Sequence, residues 1–133
     1  MGYDVRWGNE EKTIVLGELI GDWTWDDFYQ LTKTQIALMD TVDHRVHLII
    51  FDQNERIKMP PGALSHLKRL INMAHSNEER VVIVNIPAVA KALLDILRKV
   101  YGVRALVERY VFFASLEEAY AVLDEYEKNR EQS

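Results

Sequence analysis

The chain has 133 residues, 48% of them hydrophobic, and a formal charge of -5. This is the length of one domain with enough apolar material for a core, and the acidic balance argues against general nucleic-acid binding, which needs a basic stripe to release counterions. Cysteine is absent, which excludes disulfides, thiolate metal sites and thiol catalysis and makes the reducing cytoplasm the easier home.

The opening MGYDVRWGNEEK has no apolar run, so no secretory signal is expected. Arg6 stands where a myristoylation signal would carry Ser or Thr. No window approaches the roughly 20 apolar residues of a membrane span. No repeat or composition shift divides the chain, so 1–133 reads as a single domain, with 127–133 a frayed polar tail.

Tyr3 to Trp7 reads as a short edge strand, and Thr13 to Ile20 as a second strand closed by the turn signal Gly21. Thr24 suits an N-cap, with Asp27 in a capping-box position. Trp25, Phe28, Leu31, Leu38 and Met39 then share one helix face. Val46 to Phe51 is apolar enough for a buried strand, and the helix after it should turn Leu64, Leu67, Ile71 and Ala74 inward. Arg80 to Asn85 repeats the buried-strand pattern. Pro87 suits the first turn of a further helix, with Ala90, Leu93, Leu94, Leu97, Val100 and Tyr101 as its stripe and Gly102 as its end. Tyr110 to Ala114 is the last strand. A final helix opens with the capping box Ser115 to Glu118 and turns Leu116, Ala119, Tyr120 and Leu123 inward. The order β-β-α-β-α-β-α-β-α predicts an α/β fold, a mixed, mostly parallel sheet with crossover helices. Val46–Phe51 and Val81–Val84 should be adjacent parallel strands, because one crossover helix joins them.

The stretch VVIVNIPAVAKALLDILRKVYG, with its Asn85 to Pro87 turn and Leu93–Leu94 pair, resembles the strand–turn–helix that follows the switch helix of STAS domains. These domains are typified by bacterial anti-sigma-factor antagonists. SLEEAYAVL resembles their terminal helix, and ELIGDWT the turn into their first helix. The resemblance covers nearly the whole chain, and order and spacing carry it. It implies a STAS-like single domain and a non-catalytic regulatory role, signalling by protein–protein interaction. The partner would be a kinase-type anti-sigma factor or a second copy of the chain. It also implies an acid at the end of the third strand, then Asp, a phosphorylatable Ser or Thr, and Gly at the mouth of the second helix. Asp52 fits the acid and Gly62 the glycine, but Met59 stands where the Asp belongs and Pro60, followed by Pro61, where the hydroxyl belongs. A phosphate at a helix N-terminus would add nearly two negative charges. Proline cannot accept it, so the helix mouth should be rigid and the switch missing. A shifted register would make Ser65 the acceptor.

Other readings are weaker. Asp52 could be a receiver-domain phosphoacceptor, but the last strand leads into FFAS with no lysine. His44 and His47 alternate across a strand and should be solvent or strand-end histidines, and His66 and His75 have no carboxylate at ligand spacing. Asp22, Asp26 and Asp27 with Trp23 and Trp25 could suggest a sugar site but are explained by a capped helix with aromatic anchors. Arg98, Lys99 and Arg104 could bind an anion but read as a solvated helix end. No phosphate-loop, nucleophile-elbow or triad motif is present, and no cofactor or metal is expected. On the second helix, Ser65, His66, Arg69, Asn72 and Met73 fall opposite the predicted core stripe and form a candidate partner face. The alternative function is a carrier of a small apolar ligand or lipid, its pocket built from Trp23, Trp25, Tyr101, Tyr110, Phe112 and Phe113.

Overall fold

The apolar runs become strands of one sheet with both faces covered. The structure, a computed structural model, describes residues 2–54, 60–73, 75–85, 92, 95–96, 99 and 110–131. Strands β1 (Tyr3–Trp7), β2 (Ile14–Leu19), β3 (Val46–Asp52), β4 (Glu78–Val84) and β5 (Tyr110–Phe113) lie side by side in chain order. β1 pairs antiparallel with β2, and the three other pairings are parallel. The predicted adjacency of the strands around Val46–Phe51 and Val81–Val84 is therefore present.

The β1–β2 hairpin is closed by Asn9, whose Oδ1 accepts from the backbone N–H groups of Thr13 at 3.0 Å and Ile14 at 3.2 Å. Parallel neighbours need a crossover, which helix α1 (Trp25–Met39) supplies between β2 and β3 and helix α2 (Ala63–Ile71) between β3 and β4. The Thr24–Asp27 capping box forms with both of its bonds. Helix α3 (Leu116–Glu131) follows β5, and Ser115 Oγ accepts from the Glu118 N–H.

Alternation along the strands sends the core two ways. On one face Val15, Leu19, Leu48, Ile50, Val81 and Ile83 pack with Phe28, Leu31, Leu67, Leu70 and Ile71 of α1 and α2. On the other, Ile14, Leu16, Ile49, Val82 and Val84 pack with Ala119 and Leu123 of α3. Gly17 permits the close seating of α1: a Cβ there would meet Leu31 Cδ2 at 2.9 Å and Gln35 Nε2 at 2.8 Å. No described helix is long and apolar enough to cross a membrane.

The third predicted helix falls mostly outside the described residues, as do Pro87, Ala90, Leu93, Leu94, Leu97, Arg98, Val100, Tyr101, Gly102 and Arg104. Ala92, Asp95, Ile96 and Lys99 are described, and all four are helical and exposed. Their spacing marks one face, the complement of the expected apolar stripe.

Two expectations are corrected on the α3 side of the sheet. His47 is not a solvent or strand-end histidine. It is 1% exposed and sits where the β3–β4 register shifts between Val46 and Leu48. Its Nε2 lies 2.6 Å from Glu127 Oε1. Glu127 is therefore not the start of a frayed tail, because the helix continues to Glu131. Tyr126 beside it donates to Glu79 Oε1 at 2.5 Å, and its ring lies under the Arg80 guanidinium at 4.8 Å. The Glu79 carboxylate, with burial adding to it, holds the Tyr126 phenol above its ordinary pKa range. Polar contacts thus dock the second half of α3, where apolar ones dock the first.

Glu127→Ala strips the imidazole of its acceptor inside the sheet face. It should lower unfolding stability by about 1–3 kcal/mol, read as a shift in urea midpoint, whereas Asp124→Ala on the exposed side of α3 should leave the midpoint in place.

Candidate functional site

In open α/β sheets, ligands gather beyond the C-terminal ends of the parallel strands. Here that rim carries Glu18, Asp52, Gln53, Asn54 and Asn85, with Trp23 and Trp25 from the start of α1 and Pro60, Pro61 and Gly62 from the mouth of α2. Its acids are buried: Asp52 is 4% exposed and Glu18 6%.

Asp52 spends its carboxylate internally. Oδ2 accepts from the Trp23 indole at 3.1 Å, and Oδ1 accepts from the Asn54 backbone N–H at 2.9 Å and side chain at 2.7 Å. Asn54 also donates to the Gly21 carbonyl at 2.9 Å. Asn85, in left-handed backbone at φ 58°, reaches back from the end of β4 to the Asp52 carbonyl at 2.8 Å and the Asn54 carbonyl at 3.2 Å. Three loops are thus laced around one strand end. On the opposite face Glu18 is engaged by Arg6 at 2.7 Å and by Gln53. The Glu18 carboxylate raises the Arg6 pKa further above its ordinary value.

At the mouth of α2 the Trp25 indole donates to the carbonyls of Pro60 at 3.1 Å and Pro61 at 2.8 Å. This pins the double-proline turn to α1. Gly62 is the N-cap in left-handed backbone (φ 84°), and no side chain caps the helix. What holds this turn among the described residues is the indole rather than a side-chain cap. Met59 lies outside the described residues. Trp23, Trp25 and Phe28 form an edge-and-stack cluster with centroids 5.3 to 5.9 Å apart, so both tryptophans serve the core.

The candidate partner face divides. Ser65, Arg69 and Asn72 are exposed. His66 is half-buried: its ring stacks on Trp25 at 5.0 Å and its Nδ1 is hydrogen-bonded to the Tyr29 hydroxyl at 2.8 Å. Met73 is also half-buried and packs against the core. Leu70, outside the predicted stripe, is buried, while Leu64 is only half-buried. Helix α2 is therefore rotated from the expected setting, because the aromatic wall of α1 draws His66 inward. Ala74 lies outside the described residues.

The exposed flank opens onto a groove of about 320 Å³ between α1 and α2, lined by Asp26, Tyr29, Lys33, Arg69 and Met73. The Arg69 guanidinium lies 5.8 Å from the Tyr29 ring centre. Tyr29 and Lys33 escaped the sequence reading, although with Asp26 they recur at i, i+3, i+7 on one helix face. A separate apolar cavity under α1 and α2 has room for only about 40 Å³, among Phe28, Met39, Ile50, Leu70, Val81 and Tyr110. Among the described residues no three His, Asp or Glu side chains converge as a metal site. Lys99 is exposed.

Asp52→Ala would leave the Trp23 indole N–H unpaired at a buried position. It should cost about 1–3 kcal/mol of stability and shift tryptophan emission to longer wavelength, both measurable in one fluorescence-detected urea titration.

No protein-family model, curated protein or solved structure matches the chain.

Proposed function

We propose that the chain is a non-catalytic, cytoplasmic regulatory domain that works by binding another protein through the α1–α2 side, as a STAS-like anti-sigma-factor antagonist would, without the phosphorylation switch. The observation that carries this reading is the groove between α1 and α2, where two cations, an aromatic ring and a methionine meet beside the exposed Ser65 and Asn72. Arg and Met are interface residues by chemistry: one offers a planar fork, the other an adaptable apolar surface.

The rim supports the same reading. Asp52 and Glu18 already accept hydrogen bonds from neighbouring side chains, which suits a latch better than an acid–base pair or a phosphoacceptor. Pro60 and Pro61 bring no hydroxyl to the mouth of α2, and the Trp25 indole holds their carbonyls. The carrier alternative fits less well. A cavity of about 40 Å³ holds a few water-sized guests and not an acyl chain.

Arg69→Glu reverses a charge on an exposed residue, so it should abolish capture of a binding partner by the tagged chain while leaving the melting temperature in place. Leu67→Ala on the same helix should do the reverse, since losing a buried leucine costs about 2–5 kcal/mol. Met73→Asp does not separate the two effects, because Met73 also packs against the core. Capture that survives Arg69→Glu unchanged would move the interface elsewhere. Incubation with an anti-sigma-type serine kinase should give no phosphopeptide spanning residues 59–65, and phosphate on Ser65 would restore a switch.

A further inference from the structure

The groove has a counterpart on the far side of the same molecule. On α3, Glu118, Ala121, Val122 and Glu125 recur at i, i+3, i+4 and i+7, and all four are exposed. Val122 is 38% exposed, one of few large apolar side chains so placed among the described residues. The stripe therefore reads acid, apolar, acid along a helix whose other face packs on the sheet through Ala119 and Leu123. The groove reads cation, apolar, cation: Lys33 and Arg69 flank Tyr29 and Met73. Among the described residues no ion pair engages Lys33, Arg69, Glu118 or Glu125. Among the described residues Asp26 is the one acid lining the groove, and Lys128, exposed one turn beyond Glu125 on α3, offers it an opposite charge.

We infer that the occupant of the α1–α2 groove is a second copy of this chain, which presents the Glu118–Val122–Glu125 face of its α3. The contact is a helix laid into a groove, a recurrent recognition mode in which an apolar residue seats centrally and charges fix the register. Because groove and stripe lie on opposite faces of the sheet, the contact joins unlike surfaces. Each copy keeps one groove and one helix open, so the association runs head to tail rather than closing as a two-fold dimer. The inference rests on the reading of α1–α2 as an interaction side and names its partner.

Sedimentation velocity over a rising concentration series tests it. The wild-type chain should form concentration-dependent species that shrink as salt is added, since the contact is held by exposed charges. Lys33→Glu/Arg69→Glu gives a chain with acidic groove and acidic helix. Glu118→Lys/Glu125→Lys gives a chain with basic groove and basic helix. Each alone should associate at least about tenfold more weakly than wild type, because like charges then face one another. An equimolar mixture of the two should recover association, since each groove again meets a helix of opposite charge. A wild-type chain that stays monomeric throughout overturns the inference. So does a reversed variant that associates as wild type does, or a mixture that fails where wild type succeeds. If a double variant does not fold by circular dichroism, the pair Arg69→Glu and Glu125→Lys gives the same comparison with one charge on each side. A monomeric chain that still captures a different partner through Arg69 overturns this inference and leaves the interaction reading standing.

Discussion

The structure depends on a buried carboxylate at the end of its central strand. Asp52 must be hydrogen-bonded to be tolerated at 4% exposure, and the chain satisfies it with the Trp23 indole and with Asn54. Those donors come from the entry to α1 and from the turn after β3. Asn85 adds the end of β4 by reaching the Asp52 carbonyl. Removing the acceptor would leave buried donors unpaired, a larger loss than the net worth of any one bond. The second indole continues the arrangement: Trp25 holds Pro60 and Pro61, so α1 fixes where α2 begins. His66 then stacks on Trp25, which sets the rotation of α2 about its own axis.

That rotation has a functional consequence. It half-hides His66 and Met73, and it leaves Arg69 over Tyr29 at the lip of the α1–α2 groove. The rim is thus occupied by its own side chains, while the groove keeps Lys33 and Arg69 at its surface. Docking of α3 by His47–Glu127 and Tyr126–Glu79 orders that helix to its C-terminal end, so its outer face is a formed surface as well. Gly17 contributes to the same geometry by letting α1 approach the sheet closely enough for its aromatic residues to meet α2.

The sequence showed the strands and crossovers plainly, because strands covered on both faces must be continuous apolar runs and parallel neighbours need a helix between them. The Thr24–Asp27 capping box was legible because its bonds are local. What it did not reveal are polar residues whose partners are distant in the chain. His47 lies 80 positions from Glu127 and looked like a strand-end histidine. Gln35 is 1% exposed, yet its type hid it from an apolar stripe. Leu70 and His66 were misplaced for one reason: helical periodicity fixes which residues share a face, while Trp25 and Tyr29 decide which face turns inward. Of the candidate site, Asp52, Gly62 and Arg69 could be picked out. Lys33 and Tyr29 could not, since a groove between two helices leaves no pattern in either one alone.

Hydrogen exchange at the Trp23 indole Nε1–H reads the closure of the rim around Asp52 most directly. Held by a buried carboxylate, this proton should exchange only through global unfolding, with the same free energy as the slowest amides of β3 and β4. Exchange at the rate of an exposed indole, with the strand amides still protected, would mean that Asp52 is open to solvent and ligands, and the reading of the rim as a latch would fail.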